Sequence, residues 1–330
     1  MQDYLLPHTA RVTELRGEIQ SRLFTSLHHI IFDVLVTKFG SPITEAELRS
    51  FIFDGEKYPG PTLFALHGAL LKAVLDDDTS EIPELFRIIK TIQEWNYWAP
   101  HSFSTKPLSE DVLHKDEVFL LKRAFADDVG LTTALVAPQH SDVERGAMLI
   151  TGALDILKQS APTWSEELSL LANQIYFAVG DTESGLRFGG AAVFDAFGSI
   201  LMNPLGFQSV EAVLMAFVHE SSHQQMFLYH LNDPILLNDA SAVYTSPLRK
   251  QPRPMEGIFH AMWVSARMTV AAEAVLSAAH DVPWKSDLRA QQIRAYDAFR
   301  DCEQTVAEHA KLTEFGQDLF DSARVTLDGL

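Results

Sequence analysis

Apolar residues recur at three- and four-residue steps through most of the chain, the repeat of a helix that buries one face. Over residues 9–39 the stripe is Leu15, Ile19, Leu23, Leu27, Ile30, Ile31, Val34 and Leu35, and Gly40-Ser41-Pro42 stops it. Thr44–Phe53 predicts a second helix, with Glu47 three residues after Thr44 at capping-box spacing. Pro61–Leu75 predicts a third, and Pro83 to about Tyr97 a fourth that carries Leu85, Ile88, Ile89, Ile92 and Trp95. Trp98–Lys115 mixes Pro, Ser, His and charge and is expected to be a connection. Helices are expected again at Asp116–Phe125 and Asp142–Gln159, with no internal repeat and no low-complexity tract.

The pattern then changes. Gln174-Ile175-Tyr176-Phe177-Ala178-Val179 is β-branched and aromatic, which predicts a strand. Gly190–Phe194 and Ser199–Met202 flank Asp195-Ala196-Phe197-Gly198 and predict a hairpin. After Asn203-Pro204, Ser209 is placed to cap a long helix running to about Leu231, which Asn232-Asp233-Pro234 ends. Residues 254–280 and 285–315 predict two more helices. The expected class is α+β, predominantly α-helical: a helical N-terminal half, a small central sheet, then a helical C-terminal half.

Charge and composition narrow the function classes. Lys and Arg number 26 against 44 Asp and Glu, a formal net charge of −18. Nucleic-acid binding needs a clustered excess of basic residues, so that class is excluded, and an anionic membrane surface is disfavoured. Cys302 is the only cysteine, so there is neither a disulfide framework nor a thiolate metal site, and a reducing compartment is expected. Met1–His8 lacks the basic flank and apolar run of a secretion signal, and apolar stretches such as Val213–Val218 are too short to cross a bilayer. A cytoplasmic protein is the expectation.

His219-Glu220-Ser221-Ser222-His223 lies in the middle of the long expected helix. Histidines at i and i+4 share a face about 6 Å apart along the axis, so both rings can reach one metal ion. Glu220 is rotated about 100° from His219 and on a straight helix should not share that site. In zinc peptidases with this pattern it is the general base acting on metal-bound water. Leu214, Phe217 and Val218 before the motif and Met226, Phe227 and Leu228 after it make the helix apolar on most sides, so the histidines are expected to be buried and in need of partners.

The third ligand is open among Glu256, His260 and Glu273, all on the next expected helix. His230 is on the right face but about 10 Å further along the axis, and residues 224–229 contain no glycine to turn the chain, so it is expected to be structural or to support a ligand from behind. Three nitrogens suit Zn or Fe(II), and two histidines with a carboxylate serve zinc peptidases and non-haem iron oxygenases alike. Between the helices, Tyr244-Thr-Ser246-Pro247-Leu-Arg249-Lys250-Gln-Pro252-Arg253-Pro254 is a basic run held by three prolines. Arginine beside hydroxyls suits a substrate carboxylate, which guanidinium grips at two points.

These blocks, together with Gly257 and His260 after Pro252-Arg253-Pro254, resemble the HExxH-motif peptide-modification proteins encoded beside ribosomally made precursor peptides in bacteria. The resemblance covers about residues 205–275. It implies a dioxygenase that uses Fe(II), O₂ and 2-oxoglutarate to hydroxylate the β-carbon of a side chain in a precursor peptide. By matching positions it implies His219, His223 and His260 as metal ligands in a catalytic region over 161–330, after a helical region over 1–160. Guanidinium chemistry then gives Arg249 or Arg253, with Ser246 or Tyr244, the task of holding 2-oxoglutarate, and leaves Glu220 to orient a ligand or a water. The alternatives are a zinc peptidase with Glu220 as base, or a peptide-binding protein without catalysis. No nucleic acid and no membrane are expected as partners, and a homodimer is compatible with all three.

Overall fold

The computed structural model describes residues 3–55, 57–95, 97–100, 102–129, 135–181, 188–246, 248, 251–278 and 282–330. The chain is mostly helical with a small mixed sheet, as the hydrophobic periodicity predicts. In chain order the helices are α1 Thr9–His28, α2 Val36–Phe39, α3 Glu45–Ile52, α4 Pro61–Leu75, α5 Ile82–Thr91, α6 Lys115–Val129, α7 His140–Ser160, α8 Pro162–Leu171, α9 Val210–Tyr229, α10 Met255–Ala278, α11 Lys285–His309 and α12 Glu314–Asp328. The strands are β1 Ser104–Pro107, β2 Leu135–Val136, β3 Gln174–Phe177, β4 Val179–Gly180, β5 Gly190–Ala191, β6 Ser199–Met202, β7 Val243–Tyr244 and β8 Arg253–Pro254. Among the described residues, no helix is long and apolar enough to cross a membrane.

The chain divides into two compact units. One comprises Thr13–Arg145 and Ala172–Gly206 and contains the four-stranded sheet, in the order β1-β3-β6-β5. β1, β3 and β6 run parallel and β5 returns antiparallel on β6, which is the expected hairpin. Every residue of β3 and β6 is buried, which explains why each reads as an apolar or aromatic run after its first residue, Gln174 or Ser199. In the same unit Thr44 closes a capping box with Glu47, and Pro61 occupies the first turn of α4, both on the expected pattern.

The other unit comprises Met1–Val12, Gly146–Leu171 and Phe207–Leu330, and it holds the histidine motif. Its centre is α9, which packs against α8, α10 and α11. Trp263, Arg267, Phe217, Phe259 and Phe299 are among the largest fully buried side chains there. Ser209 stands at the N-cap of α9 with extended backbone, though its side chain makes no capping hydrogen bond.

Three expectations need correction. The connection over 98–115 contains strand β1, an edge strand whose four residues are all half-exposed and therefore carry no apolar run. The helix expected over 285–315 breaks after His309, with Ala310 extended at φ −74°, ψ 139°, and a separate α12 starts behind a Thr313 cap. No glycine or proline marks that break. It is imposed from outside, because Lys311 and Leu312 pair with the loop after α9: the Leu237 amide donates to the Lys311 carbonyl (2.7 Å) and the Lys311 amide to Asn238 Oδ1 (2.7 Å). The strand expected over 174–179 stops at Phe177, and Val179–Gly180 pairs instead with β2.

Candidate metal centre

Helix α9 brings His219 and His223 to one face, their ring centroids 5.0 Å apart. A carboxylate oxygen of Glu220 and one ring nitrogen from each histidine all lie within 4.8 Å of one another. The geometric expectation that Glu220 turns away from the pair is therefore not met: its backbone position is rotated, but its three side-chain torsions bring the carboxyl group back. Glu220 is only 7% exposed, and burial pushes its carboxyl group up to about 8, so without a cation it is protonated at neutral pH.

His260 comes from the second turn of α10. Its Nδ1 lies 3.4 Å from His223 Nδ1, with the two rings stacked at 29°. Two nitrogens bound to one ion at about 2.1 Å stand about 3.0 to 3.4 Å apart for angles between octahedral and tetrahedral, so this pair has the spacing of adjacent ligands. Burial holds the rings neutral: His260 falls to about 3, and His223 well below the usual histidine range, first through desolvation and then through neighbouring histidines and Arg253. Neutral imidazole is the form that offers a lone pair to a metal, so these residues need no proton removed before binding.

His230 closes α9 as its C-cap, and its Nε2 lies 3.3 Å from His260 Nε2. With His260 and Glu256 it forms a second group whose ligand atoms all fall within 4.8 Å. Glu273, the other carboxylate candidate, is engaged elsewhere: it accepts from Gln292 (2.8 Å), Arg289 (2.7 Å) and Ser277 (2.9 Å). It belongs to neither histidine group.

The loop before α10 is tied off by pairing of β7 with β8, Val243 opposite Pro254 and Tyr244 opposite Arg253. Arg253 folds back over the first turn of α10, where a Cβ added to Gly257 would sit 3.2 Å from the guanidinium carbon. Its charge is felt at His223 and His260, where it helps to keep protons off both rings. Ser246 is 9% exposed. The Tyr244 hydroxyl accepts from Asn238 Nδ2 (2.8 Å), and its ring stacks on His309 at 5.5 Å. Arg249, Lys250 and Pro247 lie outside the described residues.

Behind the metal face, α9 is anchored by a buried polar network absent from the sequence reading. Arg267 and Glu167, both fully buried, form an ion pair. Arg267 Nε donates to Ser222 Oγ (3.2 Å), Nη1 donates to the Leu5 carbonyl (3.0 Å), and the guanidinium lies 4.6 Å from the Trp164 ring centroid. Glu167 also accepts from the His8 amide (2.9 Å) and from Gln225 (3.4 Å), whose own oxygen accepts from Trp263 Nε1 (3.0 Å). The signal was present in Ser222 and Gln225, two polar side chains on otherwise apolar flanks of α9, and in Arg267 amid the apolar run of α10.

The donors fall into two groups of the kind that holds a divalent transition metal: His219 and His223 with the buried Glu220, all on α9, and His230 and His260 with the exposed Glu256, so that His260 is grouped with His230 rather than with the motif pair. No protein-family model matches the chain, and no curated protein is detectably similar to it.

Proposed function

We propose that this chain is a metal-dependent enzyme that modifies a ribosomally made peptide, hydroxylating a side-chain β-carbon with Fe(II) and 2-oxoglutarate. The observation that carries the reading is Arg253, which strand β8 places directly before α10 and which lies over Gly257, one turn before His260, in a protein whose net charge is −18. A dicarboxylate co-substrate that chelates the metal at one end needs a cation for its other end, and guanidinium supplies two parallel donors to a carboxylate. When bound, Fe(II) supplies oxidation of a C–H bond by O₂, coupled to conversion of 2-oxoglutarate to succinate and CO₂.

The chain's own residues do the positioning. His219, His223 and His260 would hold the ion, which would then bind the co-substrate. Arg253 or Arg249, with Ser246 or Tyr244, would orient the distal carboxylate. Glu220 in its protonated form can donate a hydrogen bond at the centre, and a bound cation favours its carboxylate form, which accepts one.

A second reading rests on one specific observation. Glu220 lies within 4.8 Å of the ligand nitrogens of both motif histidines, and a cation bound there would favour its carboxylate form, the form that a general base on metal-bound water requires. That reading is a zinc peptidase, and it gives Arg253 no necessary task. The deciding experiment supplies the iron-loaded protein with 2-oxoglutarate and follows succinate. Succinate formation that needs O₂ and falls at least about 100-fold in Arg253→Met at low 2-oxoglutarate supports the oxygenase. Oxygen-independent peptide cleavage by the zinc-loaded protein, abolished in Glu220→Gln, would replace it with the peptidase.

A further inference from the structure

His260 stands between two groups of ligands and presents one ring nitrogen to each. Its Nδ1 faces His223 at 3.4 Å, and its Nε2 faces His230 at 3.3 Å. Glu256 lies one helical turn before His260 on α10, and its carboxylate falls within 4.8 Å of the ligand nitrogens of both His230 and His260. We propose that His230, Glu256 and His260 form a second divalent-cation site that competes with the His219–His223 centre for His260.

Two imidazoles and a carboxylate make a donor set suited to Zn²⁺, Co²⁺ or Ni²⁺. The 3.3 Å between the Nε2 atoms again matches two ligands about 2.1 Å from one ion. The site has an entrance: His230, Asn238, Asp239, Met255 and Glu256 line a cavity of about 370 Å³, and Glu256 itself is exposed. Hydrated ions can therefore reach Glu256 first and leave water in the remaining coordination position.

Competition follows from the electronic structure of the ring. A neutral imidazole carries a proton on one nitrogen and offers a lone pair in the ring plane only on the other. Whichever ion takes His260 puts the ring proton on the side of its rival. A second ion bound through Nε2 thus withdraws Nδ1 from the first centre without touching His219 or His223. The inference rests on His260 serving the first centre, as proposed above, only for this competition. The second site stands on its own residues.

The test uses cobalt(II) alone, without co-substrate or peptide. Apo protein is titrated with Co²⁺, with bound metal counted by elemental analysis after equilibrium dialysis and coordination followed by visible d–d absorption. The wild type is expected to bind two ions, with the second altering the bands of the first. Glu256→Gln and His230→Asn are each expected to bind one ion with unaltered bands, and Glu256→Gln changes an exposed side chain, so its fold is secure. His219→Ala is expected to keep the second ion. A wild type that binds one ion, lost in His219→Ala, would overturn the second site and leave the first centre standing. Binding that survives His219→Ala but vanishes in Glu256→Gln would keep the second site and remove the first. Two ions in the wild type with bands that never change would overturn the sharing of His260.

Discussion

Arg267→Met removes the positive half of an ion pair in which both side chains have 0% exposure. Glu167 would be left with the His8 amide and Gln225 as neutral donors, and Ser222, Leu5 and Trp164 would each lose a partner. Breaking one side of a buried pair costs about 3–5 kcal/mol, because a charge is stranded rather than merely a bond lost. That is a large share of the roughly 5–15 kcal/mol by which domains are stable. With a urea m-value of about 3 kcal/mol/M, the midpoint for the unit containing α9 should fall by about 1 to 2 M. The double variant Arg267→Met/Glu167→Gln removes the stranded charge and should recover most of the loss, giving a favourable coupling of at least about 2 kcal/mol. Because Ser222 shares α9 with His219 and His223, metal affinity of the single variant should fall in step with stability. Urea unfolding of the wild type, both single variants and the double variant measures all of this. A single-variant loss under about 1 kcal/mol, or a double variant no more stable than Arg267→Met, would refute the reasoning.

Two further outcomes are expected. His67 is packed in α4 with its Nε2 2.8 Å from Ser26 Oγ, and burial lowers it from the usual 6.5 to about 4. Its folded form resists a proton that the unfolded chain accepts. Its contribution is complete above pH 6.5 and is lost as pH falls towards 4, by about 2 kcal/mol at pH 5. His67→Gln should therefore show a smaller drop in urea midpoint between pH 7 and pH 5 than the wild type, and an equal drop would contradict the assignment. Gly257→Ala places a Cβ 3.2 Å from the Arg253 guanidinium carbon, the mobile end of a long side chain. It should leave thermal stability and metal content unchanged while weakening 2-oxoglutarate binding at least several-fold by calorimetric titration. Unchanged binding would remove Arg253 from the co-substrate site.

What could be seen in the sequence was what is local. The capping box at Thr44, Pro61 at the head of α4, and α9 with its histidine pair all follow from spacings of three and four residues. What escaped depends on partners far along the chain. β1 is a strand only because β3 lies beside it, and α11 ends at His309 only because Leu237 and Asn238 capture Lys311. The same division runs through the site. Helical geometry places His219 and His223 on one face, where the structure groups them with Glu220, but it could not show that His260, expected as their third ligand, is grouped instead with His230 and Glu256. Nor could a rigid helical wheel show Glu220 reaching back to the pair, since side-chain torsions are absent from it.

We propose an iron held by His219 and His223 with His260 and chelated by 2-oxoglutarate. This proposal is tested most directly by visible absorption of the protein loaded anaerobically with one equivalent of Fe(II) and titrated with 2-oxoglutarate. The wild type and His230→Asn should both develop an iron-to-keto-acid charge-transfer band, while His219→Ala and His223→Ala, folded by circular dichroism, should develop none. A wild type that stays colourless, or a band that persists in His219→Ala, would contradict it.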